Sequence, residues 1–414
     1  MAVIQALVGV VVIITAAWLI GGRKPFDKRI VLGGLGLQLL FVVLFLKVPL
    51  ANQALVALNQ LVMLLDQATT AGTSFVFGYL GGGELPFEAT RPDSVFILAF
   101  KALPLVIVVS ALSALFFYWR ILPWIIGIFS TLLNKSMGIS GPLGLGAAAN
   151  IFVGMVEAPL LVRPYIMRLS RGELFALMTS GMATIAGTMM VLYASVLTPV
   201  RADALTHILA ASVMSVPAAL MIAAIMIPFR DDDSVEQLVE IRREDQGAFD
   251  AITRGTLDGV KLLINILAML VVFVALVALI NMLLALLPDV AGSPLTLQRL
   301  LGYAFAPLVW LMGIPAEEVL FAGSLMGTKT VLNEFLAYLS LISAPEGTLS
   351  ERSEIIMIYA MCGFANFGSL GIMIGGIGTM APERRAEVAE LGLLSIVAGT
   401  FATMLTGTVV GVIY

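Results

Sequence analysis

The chain has 414 residues, 60% of them hydrophobic and 12% charged, with a formal net charge of −4. That apolar share excludes a water-soluble protein and sets aside the usual length-per-domain expectation, because the core solvent is lipid. A single cysteine, Cys362, excludes a disulfide framework and a cysteine metal cluster. A single histidine, His207, argues against a histidine-assisted nucleophile, leaving Lys- or Asp-based catalysis formally open. Nothing in the charge points to nucleic acid.

Val3–Ile20 is long enough to span a bilayer and ends at Arg23, Lys24, Lys28 and Arg29. With no basic stretch before it and no small-residue cleavage site after it, it reads as a retained span rather than a signal peptide. By the positive-inside rule the basic cluster is cytoplasmic and the N-terminus lies outside. Ile30–Val48 is the second span. Ala51–Leu65, with Asn52, Asn59, Gln60 and Asp66 interleaved, reads as an amphipathic interfacial helix. Gly72–Pro92, rich in Gly and Pro, reads as irregular. Phe96–Trp119 is the third span, followed by a cytoplasmic surface helix over Ile121–Leu133.

Met137–Ile166 is flanked by Lys135 on one side and by Arg163, Arg168 and Arg171 on the other. Both ends therefore lie inside, and neither half is long enough to span, which makes the segment a re-entrant hairpin. Its centre, Ala147–Pro164, places Asn150 and Glu157 among apolar and small residues, with Gly154 and Pro159 as helix breakers. A carboxylate there costs several kcal/mol unless partnered or hydrated, so it is a functional candidate. A broken helix at membrane depth also frees backbone groups that bind ions or anionic groups.

Leu174–Leu197 and Thr206–Pro228 are the fourth and fifth spans. The charge-dense stretch Asp231–Arg254 reads as a cytoplasmic connector. Leu257–Leu287 is the sixth span. Leu300–Leu341 carries Pro307, Gly313, Pro315, Gly323 and Gly327 and reads as a second re-entrant segment, with Asn333 and Glu334 in it and Lys329 placed to neutralise a neighbouring carboxylate. Ile355–Met380 and Leu391–Ile413 are the seventh and eighth spans, with Arg384 and Arg385 inside between them. Three spans separate the two hairpins, and an odd number inverts orientation. The segments 137–228 and 307–413 are then inverted repeats of the kind that supports alternating access. The fold class is an all-α polytopic membrane protein with about eight transmembrane helices and two re-entrant hairpins. Residues 1–136 and 257–299 are expected as scaffold. Residues 137–230 and 300–414 are expected as transport repeats, joined through the loop 231–256.

Glu157 and Glu334 are the leading polar candidates. Asn366 and Ser369 are three residues apart and expected on one helix face beside Phe364. Together these groups suit a ligand with hydroxyls and a planar ring, although interhelical hydrogen bonding is the competing role for Asn366. Asn150 and Thr184, with carbonyls of an unwound helix, offer oxygens to a hard cation such as sodium, by analogy with other hard cations. His207 is expected to be structural and Cys362 a small apolar packer. Glu317 and Glu318 are expected at a helix start. Gly375–Gly378 reads as close helix packing rather than a nucleotide loop, since no strand precedes it.

GTSFVFG (Gly72–Gly78), NIFVGMVEAPLLVRP (Asn150–Pro164), KTVLNEF (Lys329–Phe335) and CGFANFGS (Cys362–Ser369) occur in this order. Over nearly the whole chain the sequence resembles the concentrative nucleoside transporter family, most closely its bacterial sodium-coupled members. The resemblance implies a homotrimer in the inner membrane with both termini periplasmic, each protomer working as an elevator-type nucleoside symporter with no enzymatic activity and no organic cofactor. It implies ribose contacts from Glu334, Asn366 and Ser369. It places the base against Gly154, Met155, Val156 and Glu157, with Phe364 and Leu262 nearby. It assigns sodium to Asn150, Thr184 and the carbonyls of Val153 and Ile185. Family members commonly read GQTE where this chain reads GMVE, so two hydrogen-bonding side chains expected at the base become Met155 and Val156. Proton coupling through Glu157 or Glu334 is the alternative of the same fold. A paired-carboxylate intramembrane enzyme and a passive channel are the readings from other classes.

Overall fold

The computed structural model describes residues 2–88, 90, 95–198, 200–229, 245–290 and 292–414. Within them the regular structure is helical, apart from one isolated bridge between Val290 and Ser293. An apolar solvent explains this, since a helix satisfies its backbone internally. Helices α1 (Ala2–Ile20) and α2 (Lys28–Lys47) match the first two expected spans. Helix α3 (Pro49–Phe77) runs twelve residues past Leu65, and a 3-10 turn, Gly78–Gly81, follows it. The irregular stretch expected from Gly72 therefore begins later. Residues 89, 91 and 92 of that stretch lie outside the described residues.

The third span is α4 (Leu98–Lys101) and α5 (Leu105–Tyr118), separated at Pro104, whose ring removes a backbone donor. Helix α6 (Ile121–Met137) follows. The first hairpin is α7 (Gly141–Ala149), a non-helical tip over 150–156, then α8 (Glu157–Leu161) and α9 (Arg163–Ile166). The fourth span is not continuous, as expected from its apolar run, but divided into α10 (Arg171–Ala183) and α11 (Gly187–Leu197) by Thr184–Ala186. Helix α12 (Ala204–Met226) is almost wholly buried. Most of the expected loop over 231–254 lies outside the described residues. Helix α13 (Ala248–Leu284) is 37 residues long and mostly exposed to the surroundings.

The second re-entrant segment is shorter than expected. Helix α14 (Leu297–Leu311) is a separate element packed along α15 (Val319–Val331), and the hairpin proper is α15 with α16 (Glu334–Ile342). The expected seventh span is also divided, into α17 (Glu351–Met361) and α18 (Phe367–Met380), by residues 362–366. Helix α19 (Arg385–Ile413) closes the chain. By length and composition alone, seven stretches among the described residues are long and apolar enough to cross a membrane. The divided α17–α18 pair is the expected span missing from them.

The two halves repeat one order: a flanking helix, a hairpin, a divided span and a continuous span. Their packing is reciprocal. Helix α10 packs on α12 and α19, and α17 packs on α19 and α12; α7 meets α10 as α15 meets α17. Helices α1 and α2 pack against α19 and α12, while α5 and α13 pack chiefly on each other.

Candidate functional site

The two divided spans meet at their breaks. Phe364 N donates to Thr184 O at 3.2 Å, so each break supplies what the other's interrupted helix leaves unpaired. Gly363 permits this approach: a Cβ there would stand 2.8 Å from Thr403 Cγ2 and 3.0 Å from the Ala183 carbonyl. The first hairpin tip joins in through Gly187 N, which donates to Phe152 O at 3.0 Å. Gly187 has no room for a side chain either, its Cβ position lying 2.6 Å from that same oxygen.

Around these breaks lies a cavity of about 640 Å³. Gly154, Met155, Val156, Glu157, Leu262, Glu334, Phe364, Asn366 and Ser369, all nine residues expected at a ligand, line it. Glu334 starts α16 and is only 3% exposed. Its Oε1 accepts from Tyr193 Oη at 2.5 Å and its Oε2 from Asn366 Nδ2 at 3.0 Å. Such partners are what a carboxylate at this depth requires. Asn366 and Ser369 do not share a helix face as the spacing suggested. Asn366 is extended, at φ −147° and ψ 166°, and caps α18 by accepting from Ser369 N at 2.8 Å. The cap leaves its amide nitrogen free to hold Glu334. Asn333 caps α16 in the same way through Leu336 N, at 2.8 Å.

Met155 and Val156 line the cavity and also pack tightly against glycines of neighbouring helices. Met155 is buried, with its Cβ 2.9 Å from where a Cβ on Gly181 would lie. Val156 Cγ2 stands 2.8 Å from the corresponding position at Gly376. Gly376 thus meets the non-helical hairpin tip and Gly378 the Arg385 side chain, while Gly375 has open space, so the close helix packing expected of Gly375–Gly378 is not what these glycines serve. Glu157 is exposed to the cavity, its Oε2 lying against Gly154. On α13 one face lines the space, with Asp258, Leu262, Asn265 and Met269 spaced three or four residues apart. Toward the start of α13 the lining becomes charged. There Arg254 donates from Nε and Nη2 to the two oxygens of Asp245 at 2.7 and 2.8 Å, which holds the Asp245 carboxyl below its ordinary range.

Beside the cavity lies a second polar cluster. Asn150, the C-cap of α7, is 1% exposed and donates from Nδ2 to Ser180 Oγ at 3.3 Å. Its Oδ1 is buried with no hydrogen-bond partner. Thr184, also 1% exposed, donates to Ser180 O at 2.9 Å. Val153 and Ile185 flank this cluster in the hairpin tip and in the break. An orphaned amide oxygen at the converging C-terminal ends of α7 and α10 is the environment that a hard cation completes. The residues present therefore fit sodium.

Tyr193 and Asn265 were not singled out from the sequence. Each sits in an apolar run, and the only signal was a polar atom that must find a partner in lipid. His207 is structural: its ring bonds Tyr359 Oη at 3.2 Å and Asp203 Oδ2 at 3.1 Å. Cys362 is fully buried and its Sγ meets Ile208 O at 3.5 Å. Glu318 stands at the start of α15, yet its carboxylate accepts from Ser350 N and Oγ at 3.1 and 3.2 Å, bracing the start of α17 instead. Lys329 is fully buried and donates to Thr403 Oγ1 at 3.4 Å.

Family models described as "Na+ dependent nucleoside transporter" match at the N-terminus over residues 8–80 and at the C-terminus over 207–411; a model described as "Nucleoside recognition" matches 99–200. An uncharacterized transporter of Haemophilus influenzae is 39% identical, covering 99% of this chain and 98% of its own. Nucleoside permease NupC of Helicobacter pylori is 33% identical, covering 98% and 96%. The solved structure of CNTnw in an inward-facing substrate-bound state superposes with a TM-score of 0.89 at 34% identity, covering 100% and 98%.

Proposed function

The chain belongs to the concentrative, Na+ dependent nucleoside transporter family, a family of integral membrane transporters rather than enzymes, and from that membership we propose that it imports nucleosides in symport with sodium. The observation that carries the reading is Glu334, a buried carboxylate that faces a cavity while two neutral donors hold it in place. A carboxylate accepts only, so it suits the paired hydroxyls of a ribose, with Asn366 and Ser369 adding polar contacts. Charge-assisted bonds of this kind are roughly twice as strong as neutral ones. Phe364 and Leu262 offer apolar faces to the base, and Glu157, reachable from the cavity, offers an acceptor to its edge. Because Met155 and Val156 pack against glycines, base discrimination rests on few polar groups.

Sodium is the second cargo, held by Asn150, Thr184 and the carbonyls of Val153 and Ile185. Thr184 belongs to both sites. Its hydroxyl is in the cation cluster, while its carbonyl holds Phe364 N beside the nucleoside. A cation that fixes Thr184 therefore also fixes Phe364, and binding of the two cargoes is coupled. The orphaned Asn150 Oδ1 favours sodium over a proton-only mechanism, since a proton needs no such oxygen set.

The moving unit of the proposed elevator comprises the hairpins and the divided spans, together with α12 and α19. Helices α1 and α2 pack on α12 and α19 and so travel with it, a departure from the scaffold expected over residues 1–136; α5 and α13, which pack chiefly on each other, are the fixed scaffold. Three copies of that scaffold form the proposed trimer. The membrane is the bacterial inner membrane, with both termini periplasmic. The test is radiolabelled uridine uptake into proteoliposomes at fixed pH, under an inward sodium gradient and a choline control. Accumulation above equilibrium with sodium alone supports the reading. Accumulation only under an inward proton gradient removes the sodium assignment, and none under either removes uridine as substrate.

A further inference from the structure

The cavity that holds the ligand groups continues along α13 to Asp258, Arg254 and Asp245, and it reaches Tyr118 at the end of α5. On the orientation proposed above, those residues lie at the cytoplasmic end of the molecule. At its other end α13 closes on the first turn of α18. A Cβ on Gly368 would stand 3.5 Å from both Met269 Cε and Phe273 Cζ. In this state the nucleoside place is therefore reached from the inner side.

Between those ends one face of α13 lines the space, with Asp258, Leu262, Asn265, Met269 and Phe273 following one another at helical spacing. Asn265 puts an amide near the middle of this 37-residue helix, between Ile264 and Ile266. An amide has two donors and two lone pairs, and at membrane depth such a group is expected to bond a neighbouring helix. Asn281, the other asparagine of α13, does so: its Oδ1 accepts from Leu297 N at 2.8 Å and its Nδ2 donates to Gln298 Oε1 at 3.1 Å. Asn265 does not. Its side chain is exposed, lines the cavity and bonds no other described residue. Holding helices together is therefore not its role.

We propose that Asn265 binds the edge of the nucleoside base only while the carrier faces inward, so that nucleoside already inside the cell restrains further import through this residue. The inference rests on the nucleoside and elevator reading above and adds a sided contact to it. Glu334, Asn366, Ser369, Phe364 and Glu157 travel with the cargo, whereas Asn265 belongs to α13, which stays. Glu157 can only accept, and Met155 and Val156 bring no donor to the base. The carbonyl and ring-nitrogen acceptors of a base need one, and Asn265 Nδ2 supplies it, one turn from the apolar face of Leu262. A contact made in one state favours that state by its own free energy. A nucleoside arriving from inside is therefore held more tightly, by this bond, than one arriving from outside. Accumulated product slows its own uptake, while the final gradient, fixed by the driving ion, is unchanged.

The experiment compares wild type and Asn265→Leu in right-side-out and inside-out membrane vesicles, with saturating sodium on both sides. The half-saturating concentration of tritiated uridine is read from initial flux into each kind of vesicle. In inside-out vesicles the variant should need about fivefold more uridine, the worth of one neutral hydrogen bond. In right-side-out vesicles it should stay within about twofold of wild type. As a competitor on the inner face, 2′,3′-dideoxyuridine should weaken by the same factor, because the bond goes to the base and not to the ribose hydroxyls. An equal rise on both faces overturns the inference, and so does no rise on the inner face or a loss that spares the dideoxy ligand. Leucine removes an unpartnered amide from an apolar helix, so the melting temperature should not fall; a marked fall also overturns the inference, because the amide would then be structural. Failure of the underlying reading has a different signature, since the wild type itself would then show no sodium-dependent uridine flux.

Discussion

Glu334→Gln changes one oxygen to an amide group with the shape kept, which makes it the sharpest probe of the ribose assignment. The local framework can accept the change. The new carbonyl can still receive Asn366 Nδ2, now 3.0 Å from Oε2, and the Tyr193 hydroxyl, now a donor to Oε1, can turn to accept from the new NH₂. The charge is lost, together with the acceptor capacity that a ligand would use. Hydrogen bonds to a charged group are worth about 1.5–3 kcal/mol and neutral ones about 0.5–1.5, a difference of about 1 kcal/mol per bond. Two ribose hydroxyls give about 2 kcal/mol, or an affinity loss of about 30-fold.

The assay is equilibrium uridine binding to purified protein at saturating sodium, repeated with 2′,3′-dideoxyuridine. If the carboxylate receives the hydroxyls, removing them from the ligand and removing the charge from the protein should be strongly non-additive. The variant should lose about 30-fold for uridine and less than about 3-fold for the dideoxy ligand, as the cycle demands. An equal loss for both ligands would refute the reasoning, because Glu334 would then act through the fold and not through the ribose.

Three other outcomes follow from the geometry. Asn150→Ser should weaken the sodium dependence of uridine binding by about tenfold while leaving uridine affinity at saturating sodium within about 3-fold, because the orphaned oxygen belongs to the ion cluster; sodium titration of binding checks this. Gly363→Ala should lower the melting temperature in detergent, since its Cβ would meet the Ala183 carbonyl and Thr403 at 2.8–3.0 Å, an overpacking that costs about 1–3 kcal/mol. Asp203, on the loop before α12, is held below the ordinary carboxyl range by its bond to His207 and by Arg201. A depressed carboxyl stabilises above its unfolded pKa and stops doing so as pH falls through the folded value. Asp203→Asn should therefore lower the melting temperature at pH 7, with the difference from wild type shrinking as pH falls below about 4.

Membrane spans were legible because lipid imposes one solution, a long apolar helix, and hydropathy reports it directly. The first hairpin was legible too, since basic residues on both flanks and Gly154 and Pro159 within it mark a segment that enters and leaves on one side. The breaks at Thr184–Ala186 and 362–366 were not. Neither contains proline, and ATIAGT and CGFANF read as continuous apolar helix. What opens them is tertiary, the bond from Phe364 N to Thr184 O and the close approach at Gly363. A local pattern cannot report an interaction between residues 180 positions apart. The same limit hid Tyr193, whose hydroxyl reads as incidental until Glu334 stands beside it.

These breaks explain how a buried polar site can exist in such an apolar chain. Each interrupted helix offers backbone donors on one side and acceptors on the other, at the depth where side-chain charges are most costly. Asn366 and Asn333 satisfy the freed donors by capping α18 and α16, and those caps fix the groups beside Glu334. The freed acceptors are met locally as well: Ala148 O and Ala149 O at the end of α7 take the amides of Ile151, Phe152 and Val153, Ser180 O in α10 takes the Thr184 hydroxyl, and Ile358 O in α17 takes the Tyr338 hydroxyl. What stays unpartnered beside the breaks is the side-chain oxygen of Asn150, and on the proposed sodium reading that unmet group is where an ion gradient acts on the site.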